Sequence, residues 1–253
     1  MRVNLEPEYG GTAGQEFTDS PGESGHGRCG GYHRQAHGRK RDRLKEVVVE
    51  PFTSLQAVAA PYYFPDVDTD KLIPHRFIRK PLAAGYGNFL LFDERHASDG
   101  TEIANFVLNQ QAFRKAKIMV SGRNFGCGST REGAVYALAD FGFRAVIAPS
   151  FADIFKGNCL QNGLLPIVLD EDTVASLAGQ LEVVPGAEIS IDLVAQMVTD
   201  PGSRKHHFAI DANQKSQLLA GLDAIGITLE YSALIDQFEH RYQSRFYWLG
   251  KPA

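Results

Sequence analysis

The chain has 253 residues, 43% of them hydrophobic and 22% charged, with a formal net charge of −4. That balance suits a globular protein of one or two domains and gives no electrostatic ground for nucleic acid or an anionic membrane as partner. No stretch approaches the ~20 apolar residues of a membrane span, and no basic start leads into an apolar run, so neither an anchor nor a secretory leader is expected.

Residues 1–46 are rich in Gly, Ser and charge and nearly free of aliphatic side chains. They cannot bury enough apolar surface to offset their ordering entropy and are predicted to form a disordered extension. Their basic cluster, Arg39, Lys40, Arg41, Arg43 and Lys45, is read as a solvated tail rather than a nucleic-acid contact. Residues 47–253 form the predicted folded domain. "VVVEPF" and "LQAVAAPYYF" read as strands, and "PDVDTDKLIPHRFI" as a turn-rich loop. "NFLLF" is strand-like and "IANFVLNQQAF" roughly helical. "AKIMV" is a short apolar run fit for a buried strand. After a glycine-rich loop, "REGAVYALADF" places Ala134, Val135, Leu138 and Phe141 at helical spacing, with Gly142 to end the helix. "AVIAPS" is the next strand, "FADIFKGNCLQN" a helix closed by Gly163, and "LLPIVL" another strand. Strand, helix, strand, helix, strand implies an α/β fold with a parallel β-α-β core. β signals return in "EISIDLVAQMVT" and "HHFAID". An amphipathic helix follows around "QKSQLLAGLDAIG", and "LIDQFEHRYQSRFYWL" is a terminal helix or tail.

The loop "SGRNFGCGST" sits between a strand end and a helix start, where open α/β sheets bind ligands. Ser129 and Glu132 have the spacing of a capping box, which predicts Ser129 or Thr130 as N-cap and free amides facing the loop. Such a turn attracts an anion, and Arg131 adds a planar donor fork for a carboxylate or phosphate. The loop fails as a Walker A motif, because no lysine precedes Ser129. It fails as a dinucleotide fingerprint, because Arg131 stands where the third glycine belongs. On spacing alone, an anion site and a plain structural cap remain equal readings.

The stretch "NFGCGSTREGAVYALADFGFRAVIAPSFADIFKGNCLQNGLLPI" resembles the core of 3-isopropylmalate dehydratase small subunits, in the aconitase superfamily. "DVDTDKLIPHRFI" and "FAIDANQKSQLLAGLDAIGITL" match in the same order, so the likeness runs from about Phe52 to Leu229. The resemblance implies the swivelling β/β/α domain that closes over an active site. It implies a separate large subunit carrying a [4Fe-4S] cluster on three cysteines, with the fourth iron acting as Lewis acid on the substrate. The implied reaction isomerises 2-isopropylmalate to 3-isopropylmalate by loss and re-addition of water, in leucine biosynthesis. By position, Ser129 matches the catalytic base, and Thr130 and Arg131 match contacts to the substrate carboxylate. The "DTDKLIPHRF" loop matches a segment that supplies Asp70 and a substrate-facing arginine, Arg76, with Arg79 as the other candidate. For Asp70 an Asx-type turn cap is the competing reading.

The three cysteines, Cys29, Cys127 and Cys159, form no C-x-x-C pair. A sparse, odd set fits a reducing cytoplasm better than a disulfide scaffold, and this chain is expected to bind no cluster or metal itself. Cys127 and Cys159 are read as small buried residues. His33, His37, His206 and His207 are read as solvated or locally bonded. The family's loop reads S-S-R-E-H where this chain has Ser129-Thr130-Arg131-Glu132-Gly133. Gly133 lowers helix stability by roughly 1 kcal/mol relative to alanine and is expected to open space beside the site. That departure keeps two alternatives in view: a small subunit for a homoaconitase-type or other hydroxy-diacid hydratase, and a non-catalytic anion-binding paralogue.

Overall fold

The computed structural model describes residues 50–249. The expected N-terminal extension with its basic cluster, together with Val47–Val49, Cys29, His33 and His37, lies outside the described residues.

One seven-stranded sheet has the order β4-β3-β2-β1-β5-β6-β7. β1 (Ser54–Tyr62), β2 (Ile118–Ser121), β3 (Ala145–Ala148) and β4 (Leu165–Val168) run parallel, in a register that aligns Ala59 with Ile118, Ile118 with Ala145 and Ala145 with Leu165. β5 (Glu188–Asp192), β6 (Met197–Thr199) and β7 (Lys205–His207) add an antiparallel meander to the other edge of β1. The parallel strands are short apolar runs because both faces are covered, as a buried parallel sheet requires. Alternate residues divide between two cores. Met119 and Val146 face a cluster with Ala134, Val135 and Leu138 of α3 (Gly133–Phe141) and Phe155 of α4 (Asp153–Gln161). Ile118, Val120, Ala145 and Ile147 face Val174, Leu177 and Leu181 of α5 (Glu171–Val183).

The helix ends follow local chemistry. Asp170 caps α5 through the Thr173 amide at 2.8 Å. Asp211 caps α6 (Ala212–Ala220), and Gly221 ends it at φ 65°. Gly142, at φ 117°, ends α3 as its sequence pattern predicts. Two further helices, α7 (Ala224–Leu229) and α8 (Ser232–Arg245), and a 3-10 turn at Tyr247–Leu249 complete the described chain.

Three expectations need correction, and one element went unread. "VVVEPF" forms no strand within its described residues, and β1 begins only at Ser54. "NFLLF" is not extended: Tyr86–Phe89 is a 3-10 turn and Phe92–Arg95 one helical turn, labelled α2. Leu91 lies between them at φ 49°, which no strand accommodates, and its apolarity serves the core, where Leu90 and Leu91 are fully buried. "IANFVLNQQAF" holds only the 3-10 turn Val107–Asn109. There the Asn109 side chain donates to the Ile103 and Arg95 carbonyls at 3.0 and 2.7 Å, a local alternative to helical bonding. Finally, α5 was not anticipated, although its Asp cap and its Val174/Leu177/Leu181 spacing mark it.

Candidate active site at the end of strands β1 and β2

The loop after β2 is held against the segment after β1. The Asp66 amide donates to the Arg123 carbonyl at 2.9 Å, the Gly126 amide to Val67 at 2.7 Å, and the Thr69 amide to Cys127 at 2.9 Å. Asp68 and Cys127 pair as a parallel bridge. On the loop's other side, the Phe125 amide donates to the Ser150 carbonyl at 3.0 Å. These contacts fix a path that needs glycine. Gly126 lies at φ 76°, and a Cβ there would sit 2.1 Å from the Phe155 ring. Gly128 lies at φ 95° with only ordinary contacts around a Cβ.

The ladder delivers Thr69 to Ser129. Their hydroxyl oxygens are 2.7 Å apart, and the Ser129 amide donates to Thr69 Oγ1 at 3.1 Å. Arg131 Nε donates to Ser129 Oγ at 2.8 Å, and the Arg131 amide does so at 3.4 Å. The outer Arg131 nitrogen Nη2 pairs with Asp70 Oδ1 at 2.7 Å, while Nη1 has no hydrogen-bond partner among the described residues. Thr69 is buried, Ser129 and Arg131 are half-buried, and Asp70 and Thr130 are exposed. The Thr130 carbonyl accepts from Asn158 Nδ2 at 3.3 Å, and its hydroxyl has no hydrogen-bond partner among the described residues. Two clefts of about 600 and 390 Å³ lie elsewhere, and Ser129 lines neither. With Asp70 and Thr130 exposed and Ser129 and Arg131 half-buried, the cluster is a surface of converging polar groups.

The structure thus brings Ser129, Thr130, Arg131 and Asp70 together. It does not bond Arg76 to them: Arg76 forms a two-nitrogen pair with Asp93 and lies over the rings of Phe77 and Phe92. The bond to Asp93 raises the affinity of Arg76 for its proton, and the Arg76 guanidinium in turn holds the Asp93 carboxyl below the usual carboxylate range. Arg79 is exposed and makes no ion pair among the described residues. The peptides beside it are clamped, because Tyr86 Oη donates to the carbonyls of both Ile78 and Lys80, at 2.9 and 3.0 Å.

The capping box does not form. α3 starts at Gly133 with Glu132 as a helical N-cap that makes no cap bond. The Ser129 hydroxyl is engaged by Thr69 and Arg131, and the Glu132 carboxylate turns forward to accept from Tyr136 Oη at 2.5 Å. Burial first, and then that carboxylate, pushes the Tyr136 phenol up to about 12. The Asx cap expected as an option for Asp70 belongs instead to Asp68, which accepts from the Lys71 amide at 2.6 Å at the start of α1 (Thr69–Leu72). Gly133 opens no void, since a Cβ there would meet Tyr86 and Ile73 at 3.6 and 3.9 Å. Cys159 is buried as expected, but Cys127 is partly exposed. Burial and then Asp68 and Asp66 push the Cys127 thiol up, away from thiolate chemistry. His206 lies 3.5 Å from Asp200 in a local contact, and His207 is exposed.

The residue that sequence reasoning missed is Thr69. The signal was present, in the same "DTD" that pointed to Asp70, but a threonine there reads as a turn residue until its partner 60 positions later is known.

Known proteins resemble this chain over most of its length. A family model described as the aconitase C-terminal domain matches residues 49–172, and one described as LeuD_N matches residues 175–212. The chain is 45% identical over 197 residues to the 3-isopropylmalate dehydratase small subunit of Methylobacterium radiotolerans, covering 78% of this chain and 98% of that one. It is 45% identical over 201 residues to the same-named protein of Azorhizobium caulinodans, covering 79% and 100%. A solved 3-isopropylmalate dehydratase (leuD) structure from Methanocaldococcus jannaschii superposes with a TM-score of 0.53 at 28% identity, over 74% of this chain and 99% of that one.

Proposed function

The chain belongs to the family of 3-isopropylmalate dehydratase small subunits, and from that premise we propose that it is the small subunit of a two-chain hydro-lyase isomerising 2-isopropylmalate to 3-isopropylmalate. The observation that carries the reading is the convergence of Arg131 and Thr69 on Ser129 Oγ at 2.8 and 2.7 Å. A serine serves as a base only if its alkoxide is stabilised, and a guanidinium with further donors supplies that stabilisation. Ser129 takes the proton from the substrate carbon during dehydration and returns it during rehydration. Arg131 offers its free Nη1 to the substrate carboxylate, and Asp70 holds the other end of the same fork. Thr130 presents a free hydroxyl beside them. We assign the second substrate cation to Arg79 rather than Arg76, because Arg76 is committed to Asp93 whereas Arg79 has no ion-pair partner among the described residues.

An open surface needs a second wall, and the large subunit supplies it in this reading. The [4Fe-4S] cluster belongs to that subunit as well. Among the described residues no group of three His, Cys, Asp or Glu is placed to hold a metal, and Cys127 and Cys159 do not suit a cluster. No described helix is long and apolar enough to cross a membrane, and with the free cysteines this supports a cytoplasmic enzyme. The domain is read as residues 47–253.

The test uses the complex reconstituted with a cluster-loaded large subunit, following absorbance of the unsaturated intermediate. Ser129→Ala is expected to lower kcat by about 10²–10⁴ with little change in KM. Arg79→Ala is expected to raise KM chiefly. Near-wild-type turnover of Ser129→Ala, or turnover by the isolated chain, overturns the assignment.

A further inference from the structure

Ser129 Oγ has more donors around it than a neutral hydroxyl accepts. Thr69 Oγ1 receives the Ser129 amide on one lone pair, at 3.1 Å, and its own proton has one short contact, to Ser129 Oγ at 2.7 Å. With Thr69 donating, Ser129 Oγ faces three donors: Thr69 O–H, Arg131 Nε–H at 2.8 Å and the longer Arg131 amide at 3.4 Å. A hydroxyl has two acceptor lone pairs; the third exists only on the alkoxide. We infer that Thr69 is a catalytic donor, the buried member of a three-donor cradle built for the Ser129 alkoxide. The inference rests on the reading of Ser129 as the base and goes beyond it.

The proton balance is simple. Ser129 loses its hydroxyl proton to water before substrate seats, and Thr69 turns its own proton fully onto the resulting oxyanion. When Ser129 takes the substrate's carbon-bound proton it becomes neutral again, and Thr69 keeps its hydrogen throughout. Thr69 can hold this orientation because its backbone is fixed by the Cys127 carbonyl at 2.9 Å and its residue is 2% exposed, so water does not compete for the hydroxyl. The charged and titratable groups facing Ser129 are Arg131, Asp70 through its pair with Arg131, and Asp68 and Cys127 on the facing ladder. Among the described residues only Arg131 and, in this orientation, Thr69 donate to the Ser129 hydroxyl.

The experiment compares Thr69→Val, which keeps the shape and loses the donor, with Thr69→Ser, which keeps the donor, both in the cluster-loaded complex. Turnover and KM are measured across pH. The expected result for Thr69→Val is a kcat loss of about 10²-fold with KM little changed, and an upward move, by about one unit or more, of the pH at which kcat reaches half its maximum. Thr69→Ser restores both. Adding Thr69→Val to Ser129→Ala has no further effect on residual turnover. If Thr69→Val fails to assemble, Thr69→Ala carries the same expectations. An unchanged kcat, or a kcat loss with an unmoved pH profile, overturns the role of Thr69 while leaving Ser129 as base. A fully active Ser129→Ala overturns the reading beneath it.

Discussion

The two positive-φ glycines of the site loop differ in a way that mutation can measure. Alanine at either position adopts a left-handed backbone, which costs about 1–2 kcal/mol. At Gly128 that is the main cost, because a Cβ lies 3.4 Å from the nearest atom, Asp68 Cβ. At Gly126 the Cβ overlaps the Phe155 ring, with ring atoms at 2.1, 2.4 and 2.5 Å. Phe155 is 1% exposed and packs edge-on against Phe125 at 5.4 Å, so the ring has no solvent side to yield into. Overpacking of that kind adds about 1–3 kcal/mol, which places Gly126→Ala at about 2–5 kcal/mol against about 1–2 for Gly128→Ala. Urea unfolding followed by circular dichroism reads both values. The cycle with Phe155→Leu then tests the cause: Gly126→Ala and Phe155→Leu together should cost clearly less than the sum of the two alone. Equal costs for the two glycine variants, or strict additivity in the cycle, would refute the steric argument. Activity follows the same geometry. The Gly126 amide donates to Val67 at 2.7 Å, so a displaced loop withdraws Ser129 from Thr69, and Gly126→Ala is expected to lose more turnover than Gly128→Ala.

Gly133→Ala is expected to stabilise the chain by about 0.5–1 kcal/mol, because Gly133 opens α3 without a positive φ and its Cβ would make ordinary contacts with Tyr86 and Ile73. A lower urea midpoint than wild type would contradict this. Asp200 gives an acid-dependence. Burial opposes its ionisation, but bonds from the Arg204 amide, Gln180 and His206, and the charge of Arg204, overcome that and hold its carboxyl below the usual range. A lowered folded value means stability that is present above the unfolded value, near 3.9, and lost as pH falls through the folded one. The stability gap between wild type and Asp200→Asn should therefore shrink as pH drops below about 4, and a gap independent of pH would contradict the assignment.

Much of the fold is legible in the chain because buried parallel strands and the helices over them leave strong marks. "AKIMV", "AVIAPS" and "LLPIVL" became β2, β3 and β4, and glycines 142, 163 and 221 take the left-handed positions that end helices or turns. The failures at "NFLLF" and "IANFVLNQQAF" share one cause. Residues 81–113 are apolar without regular structure, because Leu90, Leu91, Leu108 and Phe113 fill the core from loops and 3-10 turns. Periodicity reports burial, and burial matches secondary structure only where the backbone bonds to itself. Here the Leu91 amide goes to the Leu72 carbonyl, and Arg95 reaches the Gly87 and Leu90 carbonyls, so tertiary bonds replace local ones.

The same distinction explains what could be read of the site. Ser129 and Arg131 are two positions apart and Arg131 binds Ser129 directly, so their contact is local and legible in the motif. Their partners Thr69 and Asp70 lie 60 and 61 positions earlier and reach them only because β1 and β2 are neighbouring parallel strands whose trailing loops pair. Nothing in "DTD" alone distinguishes the aspartate that caps α1, Asp68, from the one that holds Arg131, Asp70; the choice is made by which side of one helical turn faces the second loop. The failed capping box follows from this as well. A serine whose hydroxyl is held by a guanidinium and a facing threonine is not free to cap, so the helix starts four residues later. What reads in one dimension as a helix cap is ruled out in three dimensions by the groups that converge on one oxygen.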